Sequence, residues 1–115
     1  MKPADTKYQI QEELLLAKQS RKEGNEGRAR VCARRAAGAA VQLFLSQEDN
    51  RKQTDNAFQS LHTLRGREHL PDRVHLAVCR LTQRVNQDYQ LPAEVDLIEE
   101  AGIVINYLEL DDPAN

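Results

Sequence analysis

Apolar side chains recur along this chain every three or four residues, and no segment alternates apolar and polar positions for long. The first spacing places side chains on one face of an α-helix, whereas strict alternation would indicate a β-strand. The pattern therefore predicts five helices and no sheet. Their expected ranges are residues 5–22, 25–46, 54–66, 71–85 and 93–110.

The predicted helix ends depend on residues that start or stop helices. Asn25 is a candidate N-cap for the second helix, and Thr54 or Asp55 is a candidate for the third. Gly66 is expected to end the third helix. Pro71 fits the first turn of the fourth, because a residue there has no helical partner for an N–H group.

The second helix carries a stripe of small side chains, Ala29, Ala33, Ala36, Ala37 and Ala40. Because such a stripe lets another helix approach closely, this helix is expected at the centre of the fold. The first helix is expected to turn Glu12, Glu13 and Lys18 outward and to present Tyr8, Ile10, Leu14, Leu15 and Ala17 at apolar spacing. Short loops favour antiparallel neighbours, so the prediction is a four- to five-helix up-and-down bundle forming one all-α domain over residues 1–115.

Composition agrees with a small folded domain. The chain has 115 residues, 40% hydrophobic and 30% charged, which suffices for one hydrophobic core. Aromatic residues make up only 4%, so the core must consist mainly of Leu, Val, Ile and Ala. No stretch approaches the roughly 20 apolar residues of a membrane span, and residues 1–11 lack an apolar signal core. A cytoplasmic location without membrane association is expected.

Charge is unevenly distributed along the chain. All 16 lysines and arginines lie at or before Arg84, and eight acidic residues follow it. The first 84 residues therefore contain 16 basic and 10 acidic side chains, a net charge of +6, and the remainder carries −8. Two interpretations stay open. Either a basic face binds an anionic partner, or an acidic last helix packs beside the basic second helix and partly neutralises it.

Arginines concentrate in the second helix, at Arg28, Arg30, Arg34 and Arg35. Arg30 and Arg34 are four residues apart and share a helix face, where two guanidinium groups can hold a phosphate. Alternatively, these arginines pair with Glu23, Glu26 or the acidic fifth helix, or they are simply solvated.

A second candidate lies further along, where Arg80, Arg84 and Asp88 repeat every four residues and Tyr89 follows. This face is either an exposed ion-pair ladder or a nucleotide-contacting face near the groove between the second and fourth helices. The candidate ligand-binding residues are therefore Arg30, Arg34, Arg80, Arg84, Asp88 and Tyr89.

The spacing of the cysteines and histidines does not favour a metal site. Neither Cys32 nor Cys79 has a second Cys or His nearby at zinc-ligand spacing, and both are expected to be small buried residues. His69 and His75 flank Pro71 at a spacing that matches no recognised site. No metal and no cofactor are expected.

Three segments carry a family resemblance: the Arg- and Ala-rich residues 29–40, residues 84–89, which begin with Arg84 and end with Asp88 and Tyr89, and residues 95–110. In that order they resemble the central helix, the ending of the penultimate helix and the closing helix of the HEPN family of helical domains (higher eukaryotes and prokaryotes nucleotide-binding). The resemblance implies a helical bundle that is commonly a homodimer. It also implies a small nucleotidyltransferase as partner, in a toxin-antitoxin-like pair, or a nucleotide or RNA ligand.

Some HEPN members are ribonucleases, with four to six residues between an Arg and the His that follows it. In this chain Arg65 precedes His69 with only three residues between them, and Tyr89 stands where Arg84 would need a histidine. Tyrosine is a poor general base because its pKa is about 10. The leading hypothesis is therefore a non-catalytic binding module, with no catalytic residue assigned. The alternatives are a divergent ribonuclease that uses Arg65 with His69 or Arg84 with Tyr89, and a purely structural helical adaptor.

Overall fold

The computed structural model of the chain describes residues 3–49, 56–83 and 95–110. Five helices account for most of these residues, and none of the three described ranges contains a strand. The prediction of an all-α helical bundle is confirmed. The helices are α1 (Pro3–Lys22), α2 (Glu26–Asp49), α3 (Ala57–Arg65), α4 (Asp72–Thr82) and α5 (Leu97–Leu110).

Helix α2 is the central helix of the bundle, as its small side chains predict. It packs against α1, α3 and α5, while α4 packs against α3 and α5. The alanines of the predicted stripe are all buried, together with Cys32, Val41 and Leu45 of the same helix. Leucine and valine side chains from α3, α4 and α5 complete the core, among them Leu61, Leu81 and Val104.

The contact between α2 and α3 is so close that it depends on a glycine. A Cβ atom added at Gly38 would lie 2.8 Å from the Cα atom of Ala57 and 2.9 Å from its carbonyl oxygen. Carbon atoms in a well-packed interior approach one another only to about 3.5 Å. Gly38 therefore brings the start of α3 onto the middle of α2.

The helix ends correct several predictions by a few residues. Asn25 does cap α2, since its Oδ1 accepts a hydrogen bond from the Arg28 backbone N–H at 3.1 Å. The cap of α3 is Asn56, where Thr54 or Asp55 was expected, and Gln59 completes a capping box with it. Pro71 lies just before α4 rather than in its first turn. The fifth helix begins at Leu97, because the Asp96 carboxylate caps it through the backbone N–H groups of Ile98 and Glu99.

Helix α1 buries only part of the apolar stripe that was predicted for it. Ile10 and Ala17 are buried, but Tyr8 is 66% exposed and Leu15 is 62% exposed. Glu13 was expected to point outward, yet it is half-buried and its Oε2 atom is shielded from solvent. The predicted stripe was too wide, because α1 packs mainly on one neighbour, α2. Searched over the described residues, none of the helices is long and apolar enough to cross a membrane.

Candidate functional site

A buried carboxylate joins α4 to α5. The Glu100 side chain is only 3% exposed and receives both ends of the Arg73 fork, at 2.7 and 3.0 Å. Arg80 donates a further hydrogen bond to the same carboxylate at 2.6 Å. Arg73 and Arg80 are seven residues apart, so two turns of α4 bring them to the same face.

This double contact keeps Glu100 ionised. Burial alone would raise the pKa of its carboxyl group, but the hydrogen bonds and positive charges of Arg73 and Arg80 outweigh burial and hold the pKa below its ordinary value. A buried carboxylate is stable only when cationic donors neutralise it, and here two arginines do so. Arg80, a predicted ligand-binding residue, is thus already bound to a carboxylate of the chain itself.

A second ion-pair cluster lies where α1, α2 and α5 meet. Arg21 donates to Glu26, with a shortest distance of 2.6 Å, and to Asp96 at 2.8 Å. Its pKa is raised, first by the hydrogen bond to Glu26. Burial would raise the pKa of Asp96, but the Arg21 hydrogen bond and the backbone N–H groups of α5 hold it below its ordinary value. Asp96 therefore both caps α5 and fixes it to α1.

These two clusters bear on the interpretations of the α2 arginines. Of the described acidic residues in and just before α5, Asp96 pairs with α1 and Glu100 pairs with α4, while Glu26 pairs with Arg21. Within residues 3–49, 56–83 and 95–110, no ion pair joins Arg28, Arg30 or Arg35 to a carboxylate. The predicted neutralisation of α2 by α5 is thus not seen among the described residues.

Arg34 differs from the other three α2 arginines because its guanidinium group is partly shielded from solvent and bound to the backbone of α4. Its Nε atom donates to the backbone carbonyl of Leu81 at 3.1 Å, in the last turn of α4, where a cation suits the helix dipole. Its Nη2 atom is shielded from solvent and has no hydrogen-bond partner in the described parts of the chain. Burial lowers the pKa of Arg34, and the nearby charge of Arg30 lowers it further.

Arg28 and Arg35 belong to a different part of the α2 surface, close to Cys32. Burial is the main cause of the raised pKa of the Cys32 thiol, and the Glu13 carboxylate raises it further, while Arg35 and Arg28 partly oppose the shift. Both arginines are exposed to solvent. The arginines of α2 therefore lie in two groups on its surface, Arg30 with Arg34 and Arg28 with Arg35.

The remaining predicted ligand-binding residues, Arg84, Asp88 and Tyr89, lie outside the described residues. The four-residue repeat that linked Arg80 to Arg84 assumed one continuous helix. That assumption is wrong, because α4 ends at Thr82 and Gln83 has an extended backbone. Of the six predicted residues, the structure places Arg30 and Arg34 close together, and it shows Arg80 in an ion pair with Glu100.

Of the two residue pairs in the ribonuclease alternative, the structure describes Arg65 and His69. His69 lies 3.9 Å from the Glu68 carboxylate, and no hydrogen bond or ion pair joins it to Arg65. His75 contacts the Cys79 sulfur at 3.8 Å, and Cys79 is half-buried rather than buried as expected. Both cysteines are free, and no group of three or more candidate metal ligands occurs in the part of the chain that the structure describes.

Comparison of the chain with protein-family models, with curated proteins and with solved structures found no match. The geometry of the arginines is therefore what supports a function. The sequence analysis missed Glu100 and Arg73, although a signal for Glu100 was present. Glu100 follows Leu97 by three residues and precedes Val104 by four, so it occupies a core position of α5.

Proposed function

We propose that the chain is a non-catalytic, HEPN-like binding module that holds an anionic ligand, a nucleotide or RNA, at Arg30 and Arg34. One observation supports this most directly. Arg34 is a partly buried cation with no carboxylate partner among the described residues, whereas Arg21, Arg73 and Arg80 each have one. Burying an unpaired charge is costly unless a counter-charge arrives. A bound phosphate would supply that charge.

The position of Arg30 strengthens this proposal. It lies close enough to Arg34 to lower that residue's pKa, so the two cations repel one another in the free protein. A phosphate between them turns repulsion into two attractions, and arginine forks match phosphate oxygens in geometry. The fold contributes by fixing Arg34 through Leu81, which reduces the side-chain entropy lost on binding.

The proposal includes two protein partners, a second copy of the chain and a small nucleotidyltransferase. Their support is the resemblance of residues 29–40 and 95–110 to HEPN domains. Light scattering with chromatography tests the first, with a mass of twice 13.1 kDa expected. Co-purification with a nucleotidyltransferase expressed together with the chain tests the second. A monomer that captures no such protein would contradict this part of the proposal.

The ligand proposal predicts a selective effect of Arg30→Ala. Titration calorimetry at low salt should detect binding of nucleotides or single-stranded RNA to the wild-type chain. Loss of one charge-assisted hydrogen bond costs roughly 1.5–3 kcal/mol, so Arg30→Ala should weaken binding about tenfold or more. Arg28→Ala removes the same charge from the same helix without touching the Arg34 site, and it should change affinity less than about twofold.

Two results would refute the ligand proposal. One is the absence of any nucleotide or RNA binding by the folded wild-type chain at low salt. The other is an equal loss of affinity in Arg28→Ala and Arg30→Ala, which would indicate general attraction to positive charge rather than a site.

A further inference from the structure

The Arg34 guanidinium restricts what kind of phosphate can reach it. The Nε atom is committed to the Leu81 carbonyl, and the Nη2 atom is shielded from solvent. Arg30 lies beside it, half-buried and with no ion pair to a described residue. A phosphate that contacts both residues therefore lies against Arg30 and completes the hydrogen bonds of Arg34 Nη2.

The number of substituents separates two classes of phosphate at a shielded donor. An internal phosphodiester of RNA has a nucleoside on each side, so a nucleoside must also come close when one of its two free oxygens reaches the shielded Nη2 atom. A terminal phosphate monoester has a substituent on one side only, so its other three oxygens can reach the donor without a nucleoside beside them. The shielded Nη2 atom is thus accessible to a chain end or a mononucleotide more readily than to the middle of a strand.

Charge separates the same two classes. A phosphate monoester carries a charge of about −1.5 to −2 at neutral pH, because its second pKa is about 6. A phosphodiester carries −1. The charges of two neighbouring, partly buried arginines are balanced by a phosphate monoester and only half balanced by a phosphodiester. Stacking does little to favour a long strand, since aromatic residues make up only 4% of the sequence.

We propose that the Arg30–Arg34 site selects a terminal phosphate monoester, on a free nucleotide or on the 5′ end of an RNA, over internal phosphodiesters. This inference rests on the proposed function, because it assumes that the site binds a phosphate ligand. It adds the class of phosphate. Arg34 supplies the shielded donor, and Arg30 supplies the second charge beside it.

The experiment compares one short single-stranded RNA with a 5′ phosphate and the same RNA with a 5′ hydroxyl. Both carry the fluorophore at the 3′ end, and binding is followed by fluorescence anisotropy. The wild-type chain should bind the phosphorylated RNA about tenfold more tightly, the value of one charge-assisted contact. AMP should compete and adenosine should not. Competition by AMP assigns the site to free nucleotides as well as RNA ends, and its failure restricts the site to RNA ends.

Three variants test which residues cause the preference for the 5′ phosphate. Arg30→Ala and Arg34→Lys should each reduce the ratio of the two affinities to less than about twofold, while Arg28→Ala should keep the wild-type ratio. Arg34→Lys keeps the charge but loses the fork, and circular dichroism confirms that each variant is folded. Equal binding of the two RNAs by the wild type overturns this inference and leaves the proposed function standing. A ratio that survives in both Arg30→Ala and Arg34→Lys overturns it as well. No binding of either RNA or of AMP instead rejects the proposed function.

Discussion

At the scale of single residues, Glu100 is the most informative side chain of the fold. It lies at a core position of α5 and is held by two arginines of α4, so its charge connects the two helices. The spacing of apolar residues identifies most of the α5 core, including Ala101, Val104 and Leu108, but it does not show what would neutralise a charge at position 100. Such a residue is stable there only because Arg73 and Arg80 reach it from another helix. That information lies in the tertiary structure.

Glu100 gives a prediction about stability and pH. The folded-state pKa of Glu100 is lowered, so its contribution is complete above the ordinary glutamate value of about 4.3 and is lost as pH falls through the folded pKa. Glu100→Gln should lower the free energy of unfolding at neutral pH by roughly 3 kcal/mol, because two arginines lose their partner. It should also flatten the loss of stability in acid. Urea unfolding from neutral pH into acid measures both effects.

Glu99→Gln is the control for this experiment. Glu99 is exposed and forms no ion pair with a described residue, so the change removes the same charge without opening the contact between α4 and α5. If Glu99→Gln and Glu100→Gln alter the stability and its pH dependence equally, the importance assigned to the buried ion pairs is wrong.

At the scale of helices, the type and number of elements follow from the sequence, while their ends do so less well. Thr54, Asp55 and Asn56 are all good N-cap residues, but only Asn56 is followed three residues later by a Gln, Gln59, that completes a capping box. The contact of Ala57 with Gly38 on α2 places the start of α3 at the same point. The start of α5 is fixed similarly, since Asp96 caps the helix and also binds Arg21 of α1.

The surroundings of two helical glycines predict opposite effects for their replacement by alanine, because Gly38 lies at the contact of α2 with α3 and Gly102 does not. Gly38→Ala places a methyl group against the backbone of Ala57, and it should destabilise the fold by about 1–3 kcal/mol despite the higher helix propensity of alanine. Gly102→Ala in α5 meets no atom within 4 Å, and it should stabilise the fold by about 0.5–1 kcal/mol. Chemical denaturation of both variants tests this. A neutral or stabilising Gly38→Ala would mean that the two helices do not approach so closely.

At the scale of the whole molecule, the structure answers part of the question that the uneven distribution of charge raises. The sequence alone left two interpretations open, a basic face or neutralisation of α2 by the acidic last helix. Among the described residues, Asp96 and Glu100 pair with arginines of α1 and α4, and no carboxylate forms an ion pair with an α2 arginine. The sequence could not decide this, because the choice depends on which helix faces turn toward α5. The same packing places Arg34 against the end of α4.

The central claim is that Arg30 and Arg34 together bind phosphate, and salt dependence tests it most directly. Affinity for the phosphorylated RNA should be measured between about 50 and about 200 mM salt. Two phosphate contacts on a single strand predict that the logarithm of the binding constant falls with the logarithm of salt with a slope of about −1.4. In Arg30→Ala the slope should be about half as steep, and in Arg28→Ala it should be unchanged. A slope near zero, or one that Arg30→Ala does not alter, would contradict the claim.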